Sequence, residues 1–190
     1  MTRIRLVAAF RPRFLFRGAA VFGGMVALAG CAPISPGMPG GSMPSAIASL
    51  APTQGSATAG EVRYTLQGTR LAVTARVSGL KPNQVHGFHV HEKGDCSSPD
   101  AMSAGGHFNP SGAPHGAAPA AHHAGDMPSL TADAQGNAQA SFRIDGNLGG
   151  DAASSFVGKA VIVHAMPDDY ATQPTGNSGA RLACGVIRRR

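Results

Sequence analysis

The stretch "TRLAVTARV" (residues 69–77) alternates apolar and polar side chains with a period of two. Its odd positions from Leu71 to Val77 are all apolar and would lie on one face of an extended strand. The even positions include Thr74 and Arg76, which would lie on the opposite face. This pattern predicts a β-strand with one buried and one solvated face, as antiparallel sheets commonly have.

Similar short runs recur along the chain and are separated by turn signals such as "SGLKPNQ" and "DAQGN". No amphipathic stretch of useful length for a helix accompanies them. They predict an all-β fold, an antiparallel barrel or sandwich of about eight strands. The further candidate strands are "SAIASL" (45–50), "EVRYTL" (61–66), "VHGFHVH" (85–91), "AQASFRI" (138–144), "KAVIVHA" (159–165) and "LACGVI" (182–187).

Two segments interrupt the strand pattern, at about residues 92–127 and 165–181. Loops of more than a dozen residues in a compact domain are usually functional or disordered. Both segments carry histidine, aspartate or arginine side chains. We therefore expect two long functional loops.

The first 31 residues have the features of an export signal. An arginine-rich, acid-free start precedes the short apolar run "GAAVFGGMVALAG" (residues 18–30), which is too short to span a bilayer as a stable helix. The run ends beside Cys31, and "LAGC" resembles a bacterial lipobox, in which the cysteine is lipidated. We expect residues 1–30 to be a signal peptide, Cys31 to be the lipidation site, and residues 31–44 to be a linker rich in proline, glycine and serine.

Removing this leader changes the meaning of the net charge of +6. Five of the 16 basic residues lie in the leader, whereas all 10 acidic residues follow it, so the mature chain carries about +1. This balance gives no support for nucleic-acid binding. The remaining basic cluster, at residues 188–190, is expected to be a solvated tail.

Export also accounts for the odd number of cysteines. If Cys31 is lipidated, Cys96 and Cys184 remain as a pair in an oxidising compartment, where a disulfide is expected. The bond would close a loop of almost ninety residues. In the chain-entropy description, such a closure stabilises the fold by roughly 4 to 5 kcal/mol.

The run "HGFHVH" (residues 86–91) concentrates three of the eight histidines. On a strand, His89 and His91 would lie on the same face, with Phe88 and Val90 directed into the core. The two rings form a candidate metal-chelating pair. His86 would share the face of Phe88 and Val90, and it is expected to be a hydrogen-bonded structural histidine. Further candidate ligands lie in the first long loop and at the end of a later strand: His107, His115, His122, His123, Asp126 and His164.

Four motifs resemble the copper/zinc superoxide dismutase family in its bacterial form, and they occur in the order of that family. They are "HGFHVHEKGDC" (86–96), "GGHFNP" (105–110), "HAGD" (123–126) and "GNSGARLACGVI" (176–187). The resemblance covers residues 45–190 and implies a Greek-key β-barrel with one copper and one zinc per subunit. It implies copper ligands His89, His91, His107 and His164, and zinc ligands His107, His115, His123 and Asp126.

The resemblance also assigns supporting roles. Asp168 would orient one copper ligand and one zinc ligand, and Arg181 would attract a small anion beside the copper. His123 is preferred to His122 because its spacing to Asp126 matches the family, so that His122 becomes an exposed neighbour. The second long loop departs from eukaryotic relatives in being shorter and in having no lysine or glutamate, which places electrostatic steering by that loop in question.

The implied activity is dismutation of superoxide to oxygen and hydrogen peroxide by a redox-cycling copper, with a structural zinc sharing the bridging His107. A non-catalytic copper- and zinc-binding envelope lipoprotein is the alternative, and a purely structural β-sandwich is a third. The leader and lipobox predict a periplasmic domain anchored by lipid to the cell envelope, at the outer membrane if there are two membranes. Superoxide is the expected small-molecule partner, and a single chain leaves the question of a homodimer open.

Overall fold

The computed structural model describes residues 43–149 and 153–190. The predicted leader, Cys31 and almost all of the predicted linker lie outside these residues. Within these residues there are ten strands and one short 3-10 helix, Met102–Ala104. The strands are β1 Ser45–Pro52, β2 Ala59–Gln67, β3 Arg70–Ser78, β4 Val85–His86, β5 Phe88–His91, β6 Leu130–Thr131, β7 Ala138–Asp145, β8 Ala160–His164, β9 Arg181–Val186 and β10 Arg188–Arg189.

The strands form one large curled sheet and a small second sheet, and all of the paired strands are antiparallel. The large sheet has the order β5-β8-β9-β1-β2-β3-β7, with β10 added beside β1, and β4 pairs with β6. Strands that are distant in sequence therefore lie side by side, as in a Greek-key barrel. The all-β, antiparallel prediction is confirmed.

Strand β3 shows the alternation that its sequence predicts. Leu71, Val73, Ala75 and Val77 are all buried, whereas the intervening positions are exposed or half-buried. Pairing with β2 on one side and β7 on the other places this apolar face against the core inside the curved sheet. The hydrophobic effect thus fixes which face of each strand points inward, and the opposite face remains available to solvent.

The two long irregular segments fall where they were predicted. Between β5 and β6 the described chain contains only the short 3-10 helix, and between β8 and β9 it contains no strand or helix. We call residues 92–129 the first long loop and residues 165–180 the second long loop. Within the described ranges, no helix combines the length and apolar character that a membrane crossing requires.

The predicted disulfide is present. Cys96, in the first long loop, is bonded to Cys184 in β9, with the two Cα atoms 5.8 Å apart. The bond therefore attaches the beginning of the first long loop to the sheet.

The prediction for the C-terminal arginines is wrong in part. Their side chains are exposed, but the backbone of Arg188 and Arg189 pairs with β1 as strand β10. Arg189 also donates a hydrogen bond of 2.6 Å to the carbonyl of Leu148. The run of three arginines suggested a solvated tail. Pairing at a sheet edge uses only backbone groups, so three identical side chains carry no pattern that would predict a strand.

Candidate metal centre

Strands β5 and β8 bring the first group of imidazoles together. Phe88 and Val90 point into the core while His89 and His91 share the opposite face of β5. Neighbouring β8 ends at His164, where the pairing with β9 shifts register. An isolated bridge between His91 and His107 brings in the first long loop. The four rings are buried, and their ligand nitrogens all lie within 4.8 Å of one another.

Each ring on this side is held by a hydrogen bond from one nitrogen, which leaves the other nitrogen as an acceptor. His91 Nδ1 donates to the carbonyl of Gly105 at 2.9 Å, and His164 Nδ1 donates to the carbonyl of Gly179 at 3.2 Å. The two Nε2 atoms then face each other at 3.4 Å. Because the Nδ1 atoms of these neutral rings carry the protons, each Nε2 atom presents a lone pair. Two facing lone pairs are favourable when one cation binds both of them.

His89 shows the same arrangement through its other nitrogen. Its Nε2 atom donates to the Asp168 carboxylate at 2.7 Å, and its Nδ1 atom is buried without a hydrogen-bond partner. His107 Nε2 is likewise buried and unpartnered. Buried polar atoms are rarely left unsatisfied in proteins, so these nitrogens indicate a site for a metal ion.

The second group lies within the first long loop and centres on Asp126. The Asp126 carboxylate is 2.8 Å from His107 Nδ1, 3.0 Å from His115 Nδ1 and 3.2 Å from His123 Nδ1. Backbone N–H groups of Gly116 and His123 also donate to it, which fixes its orientation. The Nδ1 atoms of His115 and His123 are close to the carboxylate but make no hydrogen bond. Three imidazoles and one carboxylate form a donor set suited to tetrahedral zinc.

Asp168 connects the two groups. Its Oδ2 atom accepts from His89 Nε2 at 2.7 Å, and its Oδ1 atom accepts from His115 Nε2 at 2.9 Å. The backbone N–H of Tyr170 donates to the same carboxylate at 2.7 Å. Gly176, at φ +64°, lies so close that a Cβ there would collide with both Asp168 and His115. One buried carboxylate therefore orients a ring from each group.

Burial sets the protonation states that metal binding requires. Loss of solvation lowers the pKa of His89 to about 4 and that of His164 to about 3, and it also holds the pKa of His91 well below 6.5. Burial alone would raise the pKa of Asp126, but hydrogen bonds from His107 and two backbone N–H groups outweigh it and hold that pKa well below its usual range. Neutral imidazoles and an ionised carboxylate are the forms that bind metal ions.

A cavity of about 450 Å³ opens onto the first group of rings. Its lining includes His91, His164 and Arg181. The Arg181 guanidinium donates to the carbonyls of Ala101 at 2.7 Å and Gly105 at 2.6 Å, both in the first long loop. A fixed cation at the mouth of a cavity of this size is suited to attract a small anion.

The structure thus brings together all seven predicted ligand residues, with Asp168 and Arg181 beside them, and it leaves two other histidines out of the ligand groups. His86 donates a hydrogen bond from Nδ1 to the backbone carbonyl of His164 at 2.8 Å, as expected of a structural histidine, and its Nε2 atom is buried without a hydrogen-bond partner. His122 was predicted to be exposed but is half-buried, because its ring folds back so that Nδ1 donates to the carbonyl of Ala120 at 2.7 Å. Neither belongs to the two candidate ligand groups among the described residues.

Sequence reasoning missed the backbone acceptors that hold these side chains. The carbonyls of Ala101, Gly105 and Gly179 carry no side-chain signal, and only the folded loops place them beside Arg181, His91 and His164. Gly176 lies in the last of the four motifs, and its close approach to Asp168 and His115 was not predicted, although glycine often marks such an approach of the backbone. Only the packing of the two long loops brings these groups beside the functional side chains.

The fold and these two adjacent donor groups define an antiparallel β-barrel with a two-metal centre. Residues 58–187 match the family model for copper/zinc superoxide dismutase. The chain is similar to Superoxide dismutase [Cu-Zn] 2 of Aquifex aeolicus, with 42% identity over 133 residues that span 67% of this chain and 77% of the relative. It is also 38% identical over 135 residues to Superoxide dismutase [Cu-Zn] of Paramecium bursaria Chlorella virus 1, covering 67% of this chain and 71% of that one.

Solved structures agree with this relationship. A SOD-like protein from Bacillus subtilis is 37% identical with a TM-score of 0.67, over 74% of this chain and 96% of that chain. The clock protein EA4 is 34% identical with a TM-score of 0.68, over 80% of this chain and 98% of that chain. The chain belongs to the copper/zinc superoxide dismutase family. This membership implies superoxide dismutase activity, superoxide as the small-molecule substrate, and copper and zinc as cofactors.

Proposed function

We propose that the two donor groups divide the cofactors between them and that the protein consumes superoxide at the copper side. His89, His91, His107 and His164 bind copper, since a nitrogen-rich donor set suits that metal. His107, His115, His123 and Asp126 bind zinc. The observation that carries the proposal is that four buried ring nitrogens without hydrogen-bond partners, on His89, His107, His115 and His123, all belong to these two donor groups.

His107 is the shared ligand. Its Nδ1 atom lies with the Asp126 group, and its unpartnered Nε2 atom lies on the side of His89, whose ring centroid is 4.0 Å from that of His107. Binding of two cations through both nitrogens requires loss of the second ring proton, which the positive charges favour. The shared ring therefore couples the two metal sites.

The overall reaction converts two superoxide ions and two protons into oxygen and hydrogen peroxide. Bound copper supplies the one-electron redox chemistry between Cu(II) and Cu(I), whereas zinc has no redox chemistry. Arg181 attracts the superoxide anion to the cavity, and its guanidinium is held for this purpose by the carbonyls of Ala101 and Gly105. Asp168 accepts hydrogen bonds from the Nε2–H groups of His89 and His115. The Nδ1 atom of each ring is then left to bind a metal.

The test is to load the purified chain with copper and zinc, measure both metals per chain, and assay superoxide consumption. We expect rapid consumption by the wild type, a lower kcat/KM with unchanged metal content for Arg181→Ala, and loss of activity for His107→Ala. A wild-type protein that holds both metals yet consumes no superoxide would contradict the enzymatic proposal and favour the alternative of metal binding without turnover. Failure to retain either metal would contradict both.

The adjacent histidines provide a matched control for the zinc assignment. His123→Gln removes a proposed ligand, whereas His122→Gln changes the neighbouring ring, whose Nδ1 atom donates to the carbonyl of Ala120 rather than lying among the donor groups. We expect a selective loss of zinc in the first variant and wild-type zinc content in the second. Equal loss from both variants would contradict the choice of His123.

We also propose the domain organisation and location that the leader indicates: a signal peptide at residues 1–30, lipidation at Cys31, a linker at residues 31–44 and a periplasmic catalytic domain at residues 45–190. The support is the sequence pattern alone. Palmitate labelling of wild type and Cys31→Ala in a bacterial host, followed by membrane fractionation, tests it. Label and membrane association should both depend on Cys31, and labelling of the Cys31→Ala protein would contradict the assignment. The anchor is proposed to lie at the outer membrane, which separation of the two membranes would test.

A further inference from the structure

Met102 is an exposed methionine beside the first group of rings. It is 60% exposed and helps to line the same 450 Å³ cavity as His91 and His164. By contrast, Met127 is 1% exposed and belongs to the hydrophobic core. Exposure of Met102 forgoes the stabilisation that burial of a methionine side chain brings. Since single exposed apolar residues are common on protein surfaces, the feature that distinguishes Met102 is its place in the lining of this cavity.

Local structure holds Met102 at the mouth of this cavity. It begins the short 3-10 helix, and its backbone N–H donates to the Asp100 carboxylate at 3.0 Å. The preceding residue, Ala101, has a positive φ of 59° and accepts a hydrogen bond from Arg181. These contacts fix the backbone of Met102 beside the path to the buried imidazoles.

We propose that Met102 is a capture ligand for Cu(I), which binds the incoming ion before the imidazoles do. The proposal rests on the copper site proposed above. Thioether sulfur is a soft donor that selects Cu(I) and has little affinity for harder ions, and it has no proton to lose on binding. Met102 lines the same cavity as His91 and His164, whose Nε2 atoms face each other at 3.4 Å. Capture involves ligand exchange only, without electron transfer.

Two other methionines provide internal controls. Met43 is 54% exposed and Met166 is 53% exposed, so their accessibility is close to that of Met102. Neither is among the described residues that line the cavity. If exposure alone determined the response to a soft ion, all three methionines would respond alike.

The first experiment is a titration of the metal-free full chain with Ag(I), a redox-inert substitute for Cu(I), observed through the carbon-13 methyl resonances of methionine. We expect the Met102 methyl resonance to shift at sub-stoichiometric Ag(I), before those of Met43 and Met166. Parallel shifts of all three, or an unchanged Met102 resonance, would overturn the proposal. Loss of the resonance in Met102→Leu establishes its assignment.

The second experiment measures the rate of copper uptake by anaerobic metal-free protein, with retained copper counted after rapid chelator quenching. Met102→Leu keeps the side-chain volume but removes the sulfur. We expect Cu(I) uptake to slow on the order of tenfold, similar to the smaller losses seen when groups supporting a metal site are removed. Cu(II) uptake and the final copper content should remain at wild-type values, as should all rates of Met43→Leu.

The possible outcomes distinguish a failure of the capture role from a failure of the proposed copper site. Wild-type Cu(I) uptake by Met102→Leu, or equal slowing with Cu(I) and Cu(II), overturns the capture role while leaving the imidazole site intact. Failure of the wild type to retain copper at all overturns the proposed site itself.

Discussion

Arg181 and His91 donate hydrogen bonds to the same acceptor, the carbonyl oxygen of Gly105, at 2.6 and 2.9 Å. The residue proposed to attract superoxide and a proposed copper ligand are therefore positioned by one backbone atom. Ala101, which also accepts from Arg181, lies in the same segment of the first long loop, which the Cys96–Cys184 disulfide attaches to β9. Displacement of this segment would disturb the anion site and the metal site together.

Removal of the disulfide tests this coupling. The double variant Cys96→Ser/Cys184→Ser should lose about 2 to 5 kcal/mol in free energy of unfolding, because the unfolded chain is no longer constrained. It should also have a lower kcat/KM, since the two carbonyls that hold Arg181 are less well fixed. Urea unfolding and superoxide assays at matched copper content measure the two effects. A destabilised variant with full kcat/KM would contradict the proposed coupling.

Asp168→Ala should weaken both metal sites. Alanine has no side-chain acceptor, so the hydrogen bonds that the carboxylate accepts from His89 and His115 are both lost. Loss of such a supporting hydrogen bond typically lowers metal affinity by about 10- to 100-fold. Competition with chelators should show this loss for copper and zinc alike.

The neighbouring aspartate is the matched control for that change. Asp169 is exposed, and its carboxylate accepts hydrogen bonds from Ala171 and Thr172 within its own loop. Asp169→Ala should keep wild-type affinity for both metals. If the Asp168 variant lost only one metal, or if both variants behaved alike, the connecting role of Asp168 would be wrong.

The buried histidines should make the metal-free protein less stable in mild acid. In the unfolded chain a histidine has a pKa of about 6.5, whereas burial lowers the pKa of His89 to about 4 and that of His164 to about 3 in the fold. The unfolded state therefore binds more protons below about pH 6.5, and the free energy of unfolding decreases as the pH falls toward 4. His89 alone should contribute about 2 kcal/mol to this decrease between pH 7 and 4.5.

Urea unfolding of the metal-free chain at several pH values between 7 and 4.5 measures this dependence. Over this range most aspartates are ionised in both states, so histidine protonation dominates. His89→Gln removes one titrating ring and should reduce the slope. A free energy of unfolding that is constant or increases as the pH falls would contradict the assigned protonation states.

Asp100 is expected to slow the approach of superoxide. Its exposed carboxylate lines the same cavity as Arg181 and repels an incoming anion. In Asp100→Asn, the amide oxygen can still accept the hydrogen bond from Met102 N–H. We expect kcat/KM to increase by about twofold or more at low ionic strength, since exposed charges act strongly there.

Asp95 is the corresponding control. It is also exposed in the first long loop and accepts a hydrogen bond from a backbone N–H, that of Ser97, but it does not line the cavity. Asp95→Asn should have wild-type kcat/KM at every salt concentration, and the gain in Asp100→Asn should diminish as salt is added. Equal rates for Asp100→Asn and wild type at low salt would show that the carboxylate has no influence on approach.

The sequence predicted the strands well because their pattern has a direct physical cause. Alternation in β3 follows from burial of one face, and the same period places His89 and His91 side by side. The distant ligands His107 and His164 required the family resemblance, because strand parity cannot bring separate loops together. The family resemblance likewise supplied the interpretation of Asp168.

Backbone atoms account for most of what sequence reasoning missed. Gly105 holds His91 and Arg181 through its carbonyl oxygen, and its side chain gives no indication of this. Thr53 similarly donates from its hydroxyl to the carbonyl of Arg181 at 2.7 Å, a contact between residues 128 positions apart. The pairing of Arg188 with β1 was missed for the same reason, since it depends on the path of the chain rather than on the side chain.

Anomalous diffraction at the copper and zinc absorption edges, from crystals of the metal-loaded protein, would locate both metals. We expect one copper among His89, His91, His107 and His164, one zinc among His107, His115, His123 and Asp126, and the His107 ring between the two ions. A single occupied site, or two metals that do not share His107, would contradict it.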